Sequence, residues 1–244
     1  MFFSRPGEYE ACGMFTTGHF ILLIVTILSI LLALKFTHKK NKEEVHKIIK
    51  TCTIVVWILE ILIIIFKMNL GNIRDVNTYL PLYYCSLLLY AGLFSSFGKG
   101  KIKRTGDVFL VTGGIIGGVV FMLLPTTSLT TYPIFHFVSL YSFVFHGIMV
   151  YLGILLLKTT YIKLEKSDIK YYAALVGTIC IIAYIVNCIF DSNLMFISKN
   201  FPGTPLELLY NMTGPFYTLV MIAAQMTLPF YFIYYIDYIT KKQN

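Results

Sequence analysis

Eight polar or ionisable side chains interrupt the long apolar runs of the sequence: His19, Glu60, Cys85, His136, His146, Asn187, Asn211 and Gln225. A charge at the centre of a bilayer costs about 2.5 to 3.5 kcal/mol on insertion scales, so such residues are functional candidates by default. Cys85 could act as a nucleophile if a base takes its proton, and His136 or His146 could be that base. Ser139, Ser142 and His146 are spaced by three and four, which on a helix gives one hydroxyl-rich stripe bearing an imidazole, with His136 displaced toward an adjacent face. A hydrogen bond between helices that simply holds a bundle is the alternative use of such a His. Glu60 is expected to be protonated or paired with a His. Tyr84, Asn187, Asn193 and Asn211 could donate hydrogen bonds to an oxyanion, a contribution of about 3 to 4 kcal/mol in known hydrolases. His136, His146 and Glu60 are also zinc-ligand types, but no HExxH or similar spacing accompanies them; no metal and no cofactor is expected.

The elements that must position these groups follow from composition. The chain has 244 residues, 57% hydrophobic and 13% charged, with a mean hydropathy of +0.74, which excludes a soluble fold. Apolar runs of about 17 to 24 residues recur along it, and each can cross a hydrocarbon core of roughly 30 Å as a helix. The expectation is an all-α polytopic membrane protein with seven transmembrane helices, near residues 17–34, 51–66, 79–97, 108–124, 134–157, 171–190 and 214–236, in a single membrane domain over residues 1–244.

The net charge of +8 fits a membrane protein better than a nucleic-acid partner, because the basic residues are segregated. Sixteen of the 20 lie in the connections after spans one, three and five and in the tail, from Lys35 to Lys50, Lys99 to Arg104, Lys158 to Lys170, and at Lys241 and Lys242. The opposite set holds only Arg5, Lys67, Arg74 and Lys199. This asymmetry puts the N-terminus outside and the C-terminus in the cytoplasm. The first run has neither a basic n-region nor a small-residue cleavage site and is expected to remain as an anchor. Gly113, Gly114, Gly117 and Gly118 on span four have the small-xxx-small spacing of a close helix-packing face. The stretch from Asp191 to Pro215, too polar and too interrupted by Pro202, Pro205 and Pro215 to span, reads as an external cap with a short helix after Pro205. Pro229 is a potential kink in span seven, and Tyr231, Tyr234, Tyr235 and Tyr238 near its end fit an interfacial aromatic belt. Cysteine spacing gives little sign of disulfides. At 1.5 Å per residue Cys85 falls about 9 Å below the outer end of its span and His146 about 18 Å below Ile134, so a direct bond between them needs tilt or a different span start.

Several segments, taken together and in order, resemble a known family. Leu80-Pro81-Leu82-Tyr83-Tyr84-Cys85-Ser86-Leu87, the Gly-rich span ending in Leu124-Pro125, Tyr132-Pro133 before Phe145-His146-Gly147, and Asn193-Leu194-Met195-Phe196 leading to Thr213-Gly214-Pro215-Phe216-Tyr217 are similar to the YwaF-like bacterial integral membrane proteins, relatives of the transmembrane protein 164 acyltransferases. The resemblance implies a helical membrane fold like that of the androgen-induced hydrolases and a Cys/His pair, Cys85 as nucleophile and His146 as base. It departs from the family pattern at Tyr83 or Tyr84, where a His often stands, and at Phe216-Tyr217, where a Trp-containing run is usual. The implied function is a membrane-embedded acyltransferase or lipid hydrolase that acts on phospholipid acyl chains through a thioester, at a site facing the outer leaflet. Membrane lipids are then the substrate, and the location a bacterial cytoplasmic membrane. A binding or transport protein that holds a small solute in the same polar cluster is the alternative, although no inverted repeat relates the halves of the chain.

Overall fold

In hydrocarbon a chain must satisfy its own backbone groups, and apolar runs without strand-like alternation do so as helices. The computed structural model describes residues 1–70 and 76–243; Arg74, assigned above to the outer set, lies outside the described residues. The helices are α1 (Thr17–Thr37), α2 (Lys42–Leu70), α3 (Leu87–Phe97), α4 (Gly100–Val111), α5 (Gly113–Leu123), α6 (Phe137–Lys158), α7 (Ile169–Phe190), α8 (Pro205–Thr213) and α9 (Tyr217–Gln243), and the described residues include no strand. Among the described residues six segments are long and apolar enough to cross a membrane: α1, α2, α4 with α5, α6, α7, and the stretch from α8 through α9.

The third expected span differs. Its helix starts at Leu87 rather than Tyr79, and its 11 residues reach only about 16 Å. Pro81 has no N–H to give a helix, and Leu80, Pro81 and Leu82 run as irregular chain into turns at Tyr84, Cys85 and Ser86. α3 then lies antiparallel to α2, with Ser96 Oγ donating to Thr53 Oγ1 at 3.1 Å and Trp57 Nε1 to the Leu89 carbonyl at 3.1 Å. The chain reverses at Gly98 and α4 returns along α3, tied by Ser95 Oγ to Asp107 at 2.5 Å. α4 starts eight residues earlier than the expected fourth span, at Gly100. It breaks at Thr112, whose Oγ1 donates back to the Val108 carbonyl at 2.7 Å, a bond that bends helices; the glycines of α5 follow at once.

These two elements and α6 form the interior. In their apolar windows 72% of α4–α5 and 61% of α6 is buried, against 17% for α1, whose Ile24, Leu28 and Leu31 stay exposed as a lipid-facing stripe should. The basic segments converge on one end. There Lys103 Nζ meets Asp107 at 2.8 Å and Tyr161 Oη at 2.8 Å, while Arg104 forms a two-point ion pair with the buried Asp168. At the far end the N-terminal segment is laced onto the turn before α6, with the Cys12 amide donating to the Tyr132 carbonyl at 3.0 Å and the Gly13 amide to the Leu129 carbonyl at 2.7 Å. The expected cap also lies there. Leu194, Met195 and Ile197 are fully buried, and α8 begins at Pro205.

Candidate functional site

The site is organised by the glycine face of α5. A Cβ on Gly117 would stand 3.2 Å from both Tyr84 and Met149, and one on Gly118 would stand 2.6 Å from Val150 and 2.8 Å from the His146 carbonyl. Because no side chains intervene, the turn before α3 and the middle of α6 both press against the same part of α5. Cys85 lies on one flank, its Sγ–H donating to the Gly117 carbonyl at 3.7 Å. His146 lies on the other, its ring flat on Phe121 with centroids 3.6 Å apart and planes 9° apart.

Cys85 thus meets α5 at Gly117, and His146 meets it from Gly118, at its backbone, to Phe121, at its ring, so both border the same stretch of about one turn of α5. Leu80, Pro81 and Leu82 are irregular chain and Tyr84, Cys85 and Ser86 form turns, so the helical rise of about 1.5 Å per residue does not apply to the stretch that carries the thiol. Cys85 also sits two residues ahead of the first residue of α3, not within it. The Leu87 and Leu88 amides bond back to the Tyr84 and Cys85 carbonyls, whereas the Ser86 amide makes no backbone hydrogen bond among the described residues. An unpaired N–H at a helix N-terminus favours negative charge on the adjacent sulfur or on an oxyanion formed there. Ser86 precedes Leu-Leu-Leu as an N-cap would, but it is αR and its side chain makes no cap bond, so the capping rule does not set this helix start.

The three far-end and mid-membrane histidines differ in what their ring nitrogens do. His19 accepts from the Phe15 amide at Nδ1, 3.1 Å, and reaches the Met122 carbonyl with Nε2 at 2.9 Å. His136 caps α6 by accepting from the Val138 amide at 3.1 Å and reaches the Ser4 carbonyl with Nε2 at 3.1 Å. Both rings are fully engaged. His146 Nδ1 meets the Ser142 carbonyl at 2.6 Å, and since a carbonyl only accepts, Nδ1 carries the proton. In the neutral ring Nε2 is then a bare lone pair, and it is buried with no hydrogen-bond partner among the described residues. Ser139, the other hydroxyl of the stripe, donates to the Pro133 carbonyl at 2.9 Å.

Tyr84 heads a chain of hydrogen bonds across the bundle. Tyr172 Oη donates to the Gln225 carbonyl at 3.0 Å, so in its 2.6 Å contact with Tyr84 it must accept, and the Tyr84 proton is committed there. Glu60 pairs with a tyrosine rather than a histidine: it accepts from Tyr141 Oη. Composition could not reveal this partner, which comes from another helix. Asn187 holds the cap, accepting from Ser192 Oγ at 2.7 Å and the Leu194 amide at 2.8 Å and donating to Ser198 Oγ at 2.7 Å. Asn193 accepts from the Ser198 and Lys199 amides at 3.1 and 3.0 Å, and Asn211 is exposed on α8. No hydrogen bond joins these three asparagines to Cys85 among the described residues, and there no three His, Cys, Asp or Glu side chains cluster as metal ligands would. Phe121, Tyr141 and Tyr172 were not singled out from the sequence, since an aromatic in an apolar helix carries no mark of its neighbour.

Comparison with curated proteins and with solved structures gives no match. The model of the TMEM164 family matches residues 14–235, from the start of the first helix region to near the end of α9, and so includes every residue of the α5-centred site. This is a membrane-embedded, multi-pass chain, and it belongs to the TMEM164 family.

Proposed function

We propose that this protein is a thiol-dependent acyltransferase of membrane phospholipids, with Cys85 as nucleophile and His146 as general base. The observation that carries the reading is the bare, buried Nε2 of His146, fixed by the Ser142 carbonyl on the opposite nitrogen and held against the same glycine face as Cys85. This is the logic by which a base is oriented through its second nitrogen. The thiol leaves the Gly117 carbonyl and gives its proton to His146 Nε2 as sulfur bonds to the ester carbon. The tetrahedral oxyanion is met by the Ser86 amide at the start of α3. Collapse breaks the ester C–O bond, His146 returns the proton to the departing glycerol oxygen, and a lysolipid and an acyl-Cys85 thioester result. A hydroxyl of a second lysolipid then attacks, His146 takes its proton, and the thiolate leaves and is reprotonated. Tyr84 positions the turn that carries Cys85, and Glu60 with Tyr141 borders it.

The single membrane domain makes seven passes in this reading, the third completed by the irregular stretch ahead of α3. The basic end faces the cytoplasm and the site lies toward the outer leaflet. Single cysteines placed at Lys42, Lys101 and Lys166 should then resist an impermeant thiol reagent in intact cells, whereas one near Ser128, at the exposed Thr127 or Thr130, should react; the reverse pattern would overturn the orientation.

The decisive experiment uses purified protein in nanodiscs of phosphatidylcholine with an isotope-labelled acyl chain. The Cys85 peptide should gain the mass of that chain, lose it to hydroxylamine, and pass it to added lysolipid. An unmodified Cys85, with no label in the lysolipid, would reject the acyltransferase.

A further inference from the structure

The basic end of the bundle carries a cleft of about 510 Å³ between the α6–α7 connection and the last turns of α9. It is remote from the Cys85 turn, which lies at the other end of α3 from the basic loops. Lys163 and Lys166 line one wall; Lys241, Lys242, Tyr234 and Tyr238 line the other. Basic residues alone would not mark this place, because most of those in the chain gather at this end. Three further features do. The cleft is concave, with lysines on two facing walls. Its two acidic residues are already engaged, Asp237 with Lys241 at 2.6 Å and Glu165 in a capping box with Asp168. That leaves Lys163, Lys166 and Lys242 exposed and without ion pairs among the described residues. Finally, Tyr234 and Tyr238 stack with centroids 6.4 Å apart and their hydroxyls make no hydrogen bond among the described residues, so two phenol donors stand beside three unpaired ammonium groups.

We propose that this cleft binds the phosphate-bearing headgroup of an anionic glycerophospholipid, its lysines on the phosphate and its tyrosines on the glycerol region. The charge arithmetic supports a ligand of one to two negative charges: four lysines against two acids leave +2. Its position supports a lipid rather than a soluble anion. The floor includes Leu164, which is buried in the bundle core, and the wall is the end of a membrane helix whose tyrosines sit where aromatic side chains mark the membrane surface. The site is separate from the acyl-transfer reading and stands or falls without it.

The test is native mass spectrometry of the detergent-purified chain titrated with short-chain phosphatidylglycerol, phosphatidylcholine or inorganic phosphate. Phosphatidylglycerol should bind at least 5-fold more tightly than phosphatidylcholine. The Lys163→Gln/Lys242→Gln variant should lose at least 5-fold of that affinity, and Tyr234→Phe/Tyr238→Phe should lose about 2-fold or more. A charge-matched control at the same end, Lys39→Gln/Lys42→Gln, should lose less than 2-fold. Equal losses in the control and cleft variants would mean bulk attraction and overturn the site. So would the absence of a preference for the anionic lipid, and inorganic phosphate that competes as well as the lipid would overturn the lipid assignment in favour of a free-anion site.

Discussion

Cys85→Ala and His146→Ala should each lower acyl transfer by at least about 10³-fold, to the level of the lipid background, because one removes the atom that forms the thioester and the other the base that frees it. His146→Gln should be as inactive as the Ala variant even though its amide can still donate to the Ser142 carbonyl, since it offers no basic nitrogen in place of Nε2. The double variant should be little worse than either single one, as members of one catalytic unit are strongly non-additive. Labelled-acyl transfer measured in nanodiscs, with expression and thermal stability as controls for folding, checks all four. Full activity in Cys85→Ala would reduce the thiol to a packing group on Gly117 and return the far-end cluster to solute binding or transport.

The second large effect concerns stability. Gly106→Ala should destabilise the protein by about 1 to 3 kcal/mol or more, because the new Cβ would fall on the Ala91 carbonyl and the Ser95 amide, backbone atoms that cannot move without parting α3 from α4. Gly118→Leu should be at least as severe, with its first carbon already 2.6 Å from Val150 and 2.8 Å from the His146 carbonyl. Gly177→Ala is the comparison: its Cβ meets the flexible end of Met226 at 3.1 Å, so the melting temperature should barely change. Equal melting temperatures for Gly106→Ala and Gly177→Ala would mean that α3 and α4 do not cross where described.

What could be read from the sequence was whatever depends on runs and periods. Apolar length alone marks the long helices, spacing marks the glycine face, and Pro205 marks the start of α8. The basic loops were grouped by charge, and the structure brings Lys103, Arg104 and the 163–168 segment together at one end. The errors arose where a local cue competes with apolarity. Residues 79–86 are apolar enough to extend a span, but Pro81 and the turns at Tyr84, Cys85 and Ser86 set the start of the helix, and with it the depth of the thiol. Residue type could nominate Cys85, His136 and His146 together; it could not say that His136 has both ring nitrogens engaged while His146 keeps one bare. The Glu60–Tyr141 and Tyr84–Tyr172 contacts join residues 81 and 88 positions apart, a separation at which no periodicity speaks.

In the acyl-transfer reading, Phe121 does more than fill space beneath His146. An aromatic face carries a negative quadrupole, and an imidazole lying flat on it at 3.6 Å gains attraction when it acquires a positive charge. In the proposed cycle that charge exists only between the two proton transfers, so the stacked ring acts on the ionised intermediate and hardly at all on the resting pair. In that cycle the phenyl ring shares the charge-stabilising part that a carboxylate plays behind the histidine of a serine protease, while the Ser142 carbonyl keeps the orienting part.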